Sequence, residues 1–265
     1  MVPPWTPDPS LDDALLAPPD GDDASGEVST PQNAIPAPAP IAPAARFSGV
    51  RRALGEYARS GDRSDLRRSL GHYVRTGYGG SGTTTRRFGS TTATADALGS
   101  ALARVAAGQA EPGSALDPAL LAGRSARDVM DAVVEAVRPV DGTQDAEAGR
   151  AAIRDALSEL LTRFPDADLL SLEPEQRAFA IERFAAIDVF RRFELDVGKT
   201  IVDKAPNAAT ALSRLKEIRE YVKQVVAASF RKLRDAGRTL TSGRISQVVR
   251  DALRETFEVF EGYAE

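Results

Sequence analysis

The 265-residue sequence predicts an all-α protein: a multi-helix bundle preceded by a disordered, acidic, proline-rich N-terminal tail. Three observations carry that expectation. From residue 47 onward apolar residues recur every three or four positions, the period of a helix face, and no stretch sustains the alternation of a strand. Eleven of the seventeen prolines fall within residues 1–45. Charge is divided as sharply: residues 1–45 hold seven acids and no Lys or Arg, whereas residues 46–90 hold ten arginines, three acids and no lysine. The two segments carry −7 and +7, leaving −4 for residues 91–265, so the total of −4 conceals the division.

Residues 1–45 combine low hydrophobicity, net charge and proline density, and so cannot bury enough apolar area to offset the entropy of ordering. Alanine mixed with Pro36, Pro38, Pro40 and Pro43 favours an extended polyproline-II-like spacer. Trp5, the sole tryptophan, precedes Leu11, Leu15 and Leu16, with Asp12 and Asp13 between them. That patch reads either as a docking peptide that folds on a partner or as an ordinary tail whose few apolar residues do nothing.

Residues 46–110 form an Arg/Gly-rich helical region. Phe47, Val50, Leu54, Tyr57 and Ala58 share one helix face, which Ser60-Gly61 ends. Leu66, Leu70, Tyr73 and Val74 make a shorter stripe ending at Gly77, and Ser90 or Thr92 is placed to cap a third helix bearing Leu98, Leu102 and Val105. Residues 111–265 read as the main helical bundle, entered through a connector, residues 108–123, broken by Pro112, Gly113 and Pro118. Ser125 and Asp128 resemble a capping box for a helix carrying Val129, Val133, Val134 and Val137, stopped by Pro139. The next helix spans residues 145–164 with Ile153, Leu157, Leu160, Leu161 and Phe164. Pro174 opens a helix running to about Asp203, about 45 Å long at 1.5 Å per residue, whose apolar face holds Ile181, Phe184, Ile187, Phe190, Val197 and Ile201. Pro206-Asn207 breaks it, and Asn207 caps a helix bearing Leu212, Leu215, Val222, Val226, Phe230 and Leu233. Gly237 ends that one, and Thr241 starts the last, with Ile245, Val248, Val249, Leu253, Phe257 and Phe260.

Composition removes many chemistries. With no cysteine there are no disulfides, thiolate metal sites or cysteine nucleophiles. The single histidine, His72, sits among Arg67, Arg68 and Arg75, a setting that disfavours a protonated ring and makes it a helix-end histidine rather than a catalytic one. Carboxylates pair with bases at helical spacing, as in Glu173 with Arg177, Asp188 with Arg192 and Glu220 with Lys216, which reads as solvated faces. No nucleotide-binding, zinc-protease or hydrolase motif occurs. A non-enzymatic protein without cofactor or metal is expected. No apolar run approaches the ~20 residues that span a bilayer, and no signal peptide opens the chain, so a cytoplasmic location is expected.

The run from Gly77 to Arg87 stands apart. Its glycines free backbone N–H groups to approach an anion, its hydroxyls add donors, and Arg86 with Arg87 offers a clamp for carboxylate or phosphate. It lacks the Gly-Lys-Ser/Thr ending and the preceding strand of a P-loop. The bland reading is a flexible connector whose arginines happen to be adjacent. The functional one is a binding loop, with Arg75, Gly79, Gly80, Ser81, Arg86, Arg87 and Gly89, together with Trp5 from the tail, as partner-contacting residues. A nucleic-acid module is the alternative, with Tyr78 and Phe88 placed either to stack on bases or equally to anchor the loop to the helical body.

At these residues the sequence resembles the QatB family, the helical component of the QatABCD anti-phage defence operon. The resemblance rests on Arg46-Phe47, the Tyr57 to Gly61 helix end, Ser69 to Val74, Gly79-Gly80-Ser81, and Arg86-Arg87 with Gly89-Ser90. It continues more weakly at Leu240-Thr241 and Ile245 to Val249. It covers nearly the whole chain, the acidic leader included, with its specificity concentrated in residues 46–90. It implies a role in antiviral defence beside an ATPase, a QueC-like enzyme (QatC) and a TatD-like nuclease. QatB-like proteins look like the binding partner of QatC and its protein substrate, modified at an N-terminal glycine. Family members open with Met-Gly and a Gly/Ser-rich stretch, whereas this chain opens Met1-Val2-Pro3-Pro4-Trp5. No modified residue is therefore carried over, and an in-frame Gly/Ser-rich stretch upstream of Met1 is the expectation.

Overall fold

The structure, a computed structural model, describes residues 45–241 and 243–264. The expectations for the acidic leader, including the Trp5 docking motif, lie outside them. The described residues contain helices and no strand. In order these are α1 (Ser48–Ser60), α2 (Arg63–His72), α3 (Ser81–Arg87), α4 (Gly89–Ala106), α5 (Pro118–Leu121), α6 (Ala126–Val137), α7 (Gln144–Arg163), α8 (Pro174–Phe193), α9 (Lys199–Lys204), α10 (Ala208–Asp235) and α11 (Ile245–Glu261). Two wide π-helical turns, Tyr73–Gly77 and Glu194–Gly198, extend α2 and α8, and a 3₁₀ turn, Gly262–Ala264, closes the described chain.

Three helix starts show side-chain chemistry at work. Ser125 and Asp128 form a reciprocal capping box on α6, Thr143 accepts from the Ala146 N–H at the start of α7, and Asn207 accepts from the Thr210 N–H at 2.8 Å to open α10. Helix α8 is the central element, with α7, α4 and α10 packed around it. Helix α11 lies on α10 and carries α3 and α4, while α1 and α2 pair and α1 rests on α9. One buried cluster joins Phe47 to Phe260, with Tyr57, Tyr73, Phe88, Phe184, Phe193 and Phe257 among its largest members. Each such ring contributes about 1.5–3 kcal/mol by leaving water. At Gly71 the fold requires glycine, since a Cβ would lie 2.5 Å from the Ala264 nitrogen of the terminal turn.

Several expectations are corrected. Residues 81–87 are helix, not loop, and neither Ser90 nor Thr92 caps the next helix: α4 begins at Gly89 with Phe88 at its cap position and no side-chain bond there. The last helix starts at Ile245, not at Thr241. Leu212, placed by periodicity on the buried face of α10, is 69% exposed. Asp188 and Arg192 are no solvated pair: Asp188 is 1% exposed and accepts from Thr91 Oγ1 at 2.6 Å and Arg192 Nε at 3.2 Å. Glu220 pairs with Lys223, and Arg177 donates to the Leu172 carbonyl.

Candidate functional site

The Arg/Gly segment is built into a corner where the two π turns meet. A π turn widens a helix by a residue and re-aims the side chains beyond it. Here Tyr73, from the first turn, and Tyr78, just past its end, both donate their hydroxyls to one oxygen of Asp196 in the second, at 2.9 and 2.7 Å. Phe47 stacks on Tyr73 at 5.7 Å, Tyr73 meets Phe193 edge-on at 5.0 Å, and Tyr78 meets Phe88, which packs on Phe257 at 4.9 Å. Burial, reinforced by the Asp196 carboxylate, pushes the Tyr78 phenol up to about 12. Burial also raises Tyr73 well above its ordinary value, with Tyr78 and Asp196 adding to it. Both phenols therefore stay protonated donors. Phe88, 1% exposed, is a core residue, and the Tyr78 ring packs against Phe47, Tyr73 and Phe88 with the Arg46 guanidinium over it, so both rings anchor the segment to the helical body.

Gly79 and Gly80 turn the chain at φ values of +83° and +99°, a region that side chains strain to enter. The Gly80 N–H returns to the Val74 carbonyl at 2.9 Å, and the Ser81 N–H donates to Glu261 Oε2 at 3.0 Å. The Ser81 side chain, and then its backbone N–H, hold the Glu261 carboxyl below its ordinary value, with Arg75 adding to the effect. A Cβ at Gly80 would also sit 3.1 Å from Glu261 Oε1. The loop's anion is thus an internal carboxylate that pins the start of α3 to the end of α11. The hydroxyls of Thr84 and Thr85 bond back to the carbonyls of Gly80 and Ser81 and are not outward donors.

What the corner presents to solvent is arginine. Arg75, Arg86 and Arg87 are exposed. Arg86 donates to Thr83 Oγ1 at 3.0 Å, and none of the three forms an ion pair with a described carboxylate. Gly79 and Gly89 are exposed beside them, each with open space where a Cβ would be. Arg87 borders a cleft of about 270 Å³ shared with Arg46, Tyr78, Asp145, Arg192 and Asp196. Arg46 lies over the Phe47 ring at 4.4 Å. Arg192 is committed to Asp188, Asp145 and Ser90, leaving Arg46 and Arg87 as the cleft's guanidiniums without a described acid.

The structure therefore brings Arg75, Gly79, Gly80, Ser81, Arg86, Arg87 and Gly89 to one corner; Trp5 lies outside the described residues. Sequence reasoning missed Asp145, Arg192, Asp196 and Glu261. The spacing of Asp188 and Arg192 signalled a pair, but nothing local signalled Asp196 or Glu261, which join the site from more than 100 residues away. His72 rests against Gly49 with its Nδ1 enclosed and without a hydrogen-bond partner among the described residues. Among the described residues no group of His, Asp or Glu could hold a metal ion, and no helix is long and apolar enough to cross a membrane. The arrangement suits recognition of an acidic or hydrogen-bond-accepting surface by rigidly mounted guanidiniums.

Neither the curated proteins nor the solved structures contain a match to this chain. The model of one protein family, described as Qat anti-phage system associated protein QatB, matches residues 79–260. The Gly79 to Ser90 block and the later helices fall inside that span, and the block from Arg46 to Val74 precedes it. With well over half of its length matched, the chain belongs to the QatB family of anti-phage system proteins.

Proposed function

We propose that the protein is a non-enzymatic, cytoplasmic component of a Qat defence system that docks on a QueC-like, QatC-type enzyme and presents its N-terminal segment, with Trp5, to it as protein substrate. The observation that carries this is the pair Arg86 and Arg87, exposed and free of any described acid, on a short helix clamped by Glu261 at its start and by Phe88 at its end. Guanidiniums held on a rigid mount lose little freedom when they meet a partner's carboxylates. The operon ATPase and the TatD-like nuclease are further partners on this reading.

Co-expression with the neighbouring QueC-like protein, followed by size-exclusion chromatography, tests it. A co-eluting complex, lost on changing Arg86 and Arg87 to alanine, is expected; separate elution of the parent proteins overturns the reading. A filter-binding assay of residues 46–265 on duplex DNA covers the alternative. Three phosphate contacts from Arg75, Arg86 and Arg87 would give a slope of about −3 in log K against log salt.

A further inference from the structure

A second concave site lies at the far end of α8, formed where the end of α7, the start of α8, the end of α10 and residues 238–241 converge. Its volume is about 470 Å³. Phe164, Phe179, Phe230 and Leu240 supply an apolar floor, with Phe164 and Phe179 edge to face at 5.6 Å. Arg163 and Arg234 stand exposed at its rim. Neither forms an ion pair with a described carboxylate, whereas Arg238 beside them is bonded to Asp251 at 2.6 Å. Deeper in the groove Glu182 is half-buried and accepts no hydrogen bond from any described residue. Burial pushes its carboxyl up, against the pull of Arg183, Arg234 and Arg231.

An ordinary helix-end surface would spread its aromatics or cover them. Here three phenylalanines line an open cavity, guanidiniums with no ion pair to a described carboxylate flank it, and a carboxylate inside accepts no hydrogen bond from a described residue. Among the described residues each of the three lacks a complement of different chemistry: an apolar ring, an anion and an N–H or O–H donor. A tryptophan or tyrosine next to acidic residues supplies all of them, and such anchors seated in pockets with arginine at the rim carry the energy of protein interfaces. A basic segment would instead meet the like charge of Arg163 and Arg234, which outnumber the one exposed lining carboxylate, Glu175.

We propose that this groove docks an acidic segment of a partner protein, anchored by a tryptophan or tyrosine whose donor meets Glu182. Glu182 and Arg192 are ten residues apart on one helix, about 15 Å, so the groove is a surface separate from the Arg86–Arg87 corner.

Short fluorescein-labelled peptides with a central tryptophan flanked by either glutamates or lysines, titrated against the full chain by fluorescence polarisation, test the proposal. The glutamate peptide should bind and the lysine peptide should not. Arg163→Glu with Arg234→Glu should weaken binding at least about tenfold while melting like the parent, since both side chains are exposed. Glu182→Gln should weaken the tryptophan peptide more than a phenylalanine version, a readout that a purely structural Glu182 would not move. Arg86→Ala with Arg87→Ala should leave peptide binding unchanged. Equal affinity for both flanks, binding of neither peptide, or indifference to the Arg163 and Arg234 reversals would overturn it. So would a dimer in sedimentation that the same reversals dissociate, since the groove would then belong to a second copy.

Discussion

Arg86 and Arg87, like Arg75 beside them, form no ion pair with a described carboxylate. Arg192 is tied to Asp188 and Asp145, Arg59 to Glu56, and Arg46 to aromatic faces. Changing both to alanine should therefore shift stability by no more than about 0.5 kcal/mol per site, measured by thermal unfolding, while weakening partner binding or phage protection strongly. Unfolding with partner affinity retained in the folded fraction would show a structural clamp instead. Phe88 gives the opposite contrast. Its ring sits between Tyr78, Phe257 and the Arg192 guanidinium, so Phe88→Ala should cost about 3–5 kcal/mol through the cavity it leaves. The two arginines were legible in the sequence because charge and exposure are local properties. The role of Phe88 was not, because an aromatic beside glycine and arginine reads alike whether it faces a base or a core.

At the scale of elements, α3 shows why a short helix was invisible. A seven-residue segment opening on Ser81 and Gly82 and rich in threonine has poor intrinsic helix preference. It is helical because Glu261 accepts its first N–H and Phe88 anchors its end, both long-range effects. The π turns were equally unreadable, since Asp196 holds Tyr73 and Tyr78 from more than 100 residues further along the sequence. Helices such as α6, α7 and α10 were legible because caps and breakers lie beside them in the sequence. The clamp on α3 has a pH signature. The folded Glu261 carboxyl sits below its ordinary value, so its contribution is full above the unfolded-state value near 4.5 and is lost as pH falls through the folded one. Glu261→Gln should flatten that part of the acid limb of stability, cost no more than about 1 kcal/mol at neutral pH given its exposure, and speed hydrogen exchange at the Ser81 amide. An acid limb identical to the parent's would mean that the bond carries no stability.

For the molecule as a whole, the division into an Arg/Gly-rich region at residues 46–110 and a bundle at residues 111–265 raises a question of cooperativity. Sequence character changes at that boundary, yet the first helices have no core of their own. Helix α1 packs on α9, α4 on α8, and α3 on α11, and Phe47, Tyr73 and Phe88 contribute to the same buried cluster as Phe193 and Phe257. If α1 to α4 separated while the rest stayed folded, the rings of Phe193 and Phe257 would enter water, at about 1.5–3 kcal/mol each. The buried Asp188 would also lose Thr91 and its seal. The two regions should therefore unfold together. With Tyr221 and Tyr263 changed to phenylalanine the tyrosines allow a direct measurement, because the remaining three, Tyr57, Tyr73 and Tyr78, lie in the first region, whereas far-ultraviolet circular dichroism is dominated by α7, α8, α10 and α11. Tyrosine absorbance and circular dichroism should give superimposable thermal and urea transitions, the criterion for one cooperative unit. Phe88→Ala should move both curves together by the same amount. A tyrosine transition that precedes the loss of helix would show that residues 46–110 fold as a separate domain, docked on the bundle rather than part of its core.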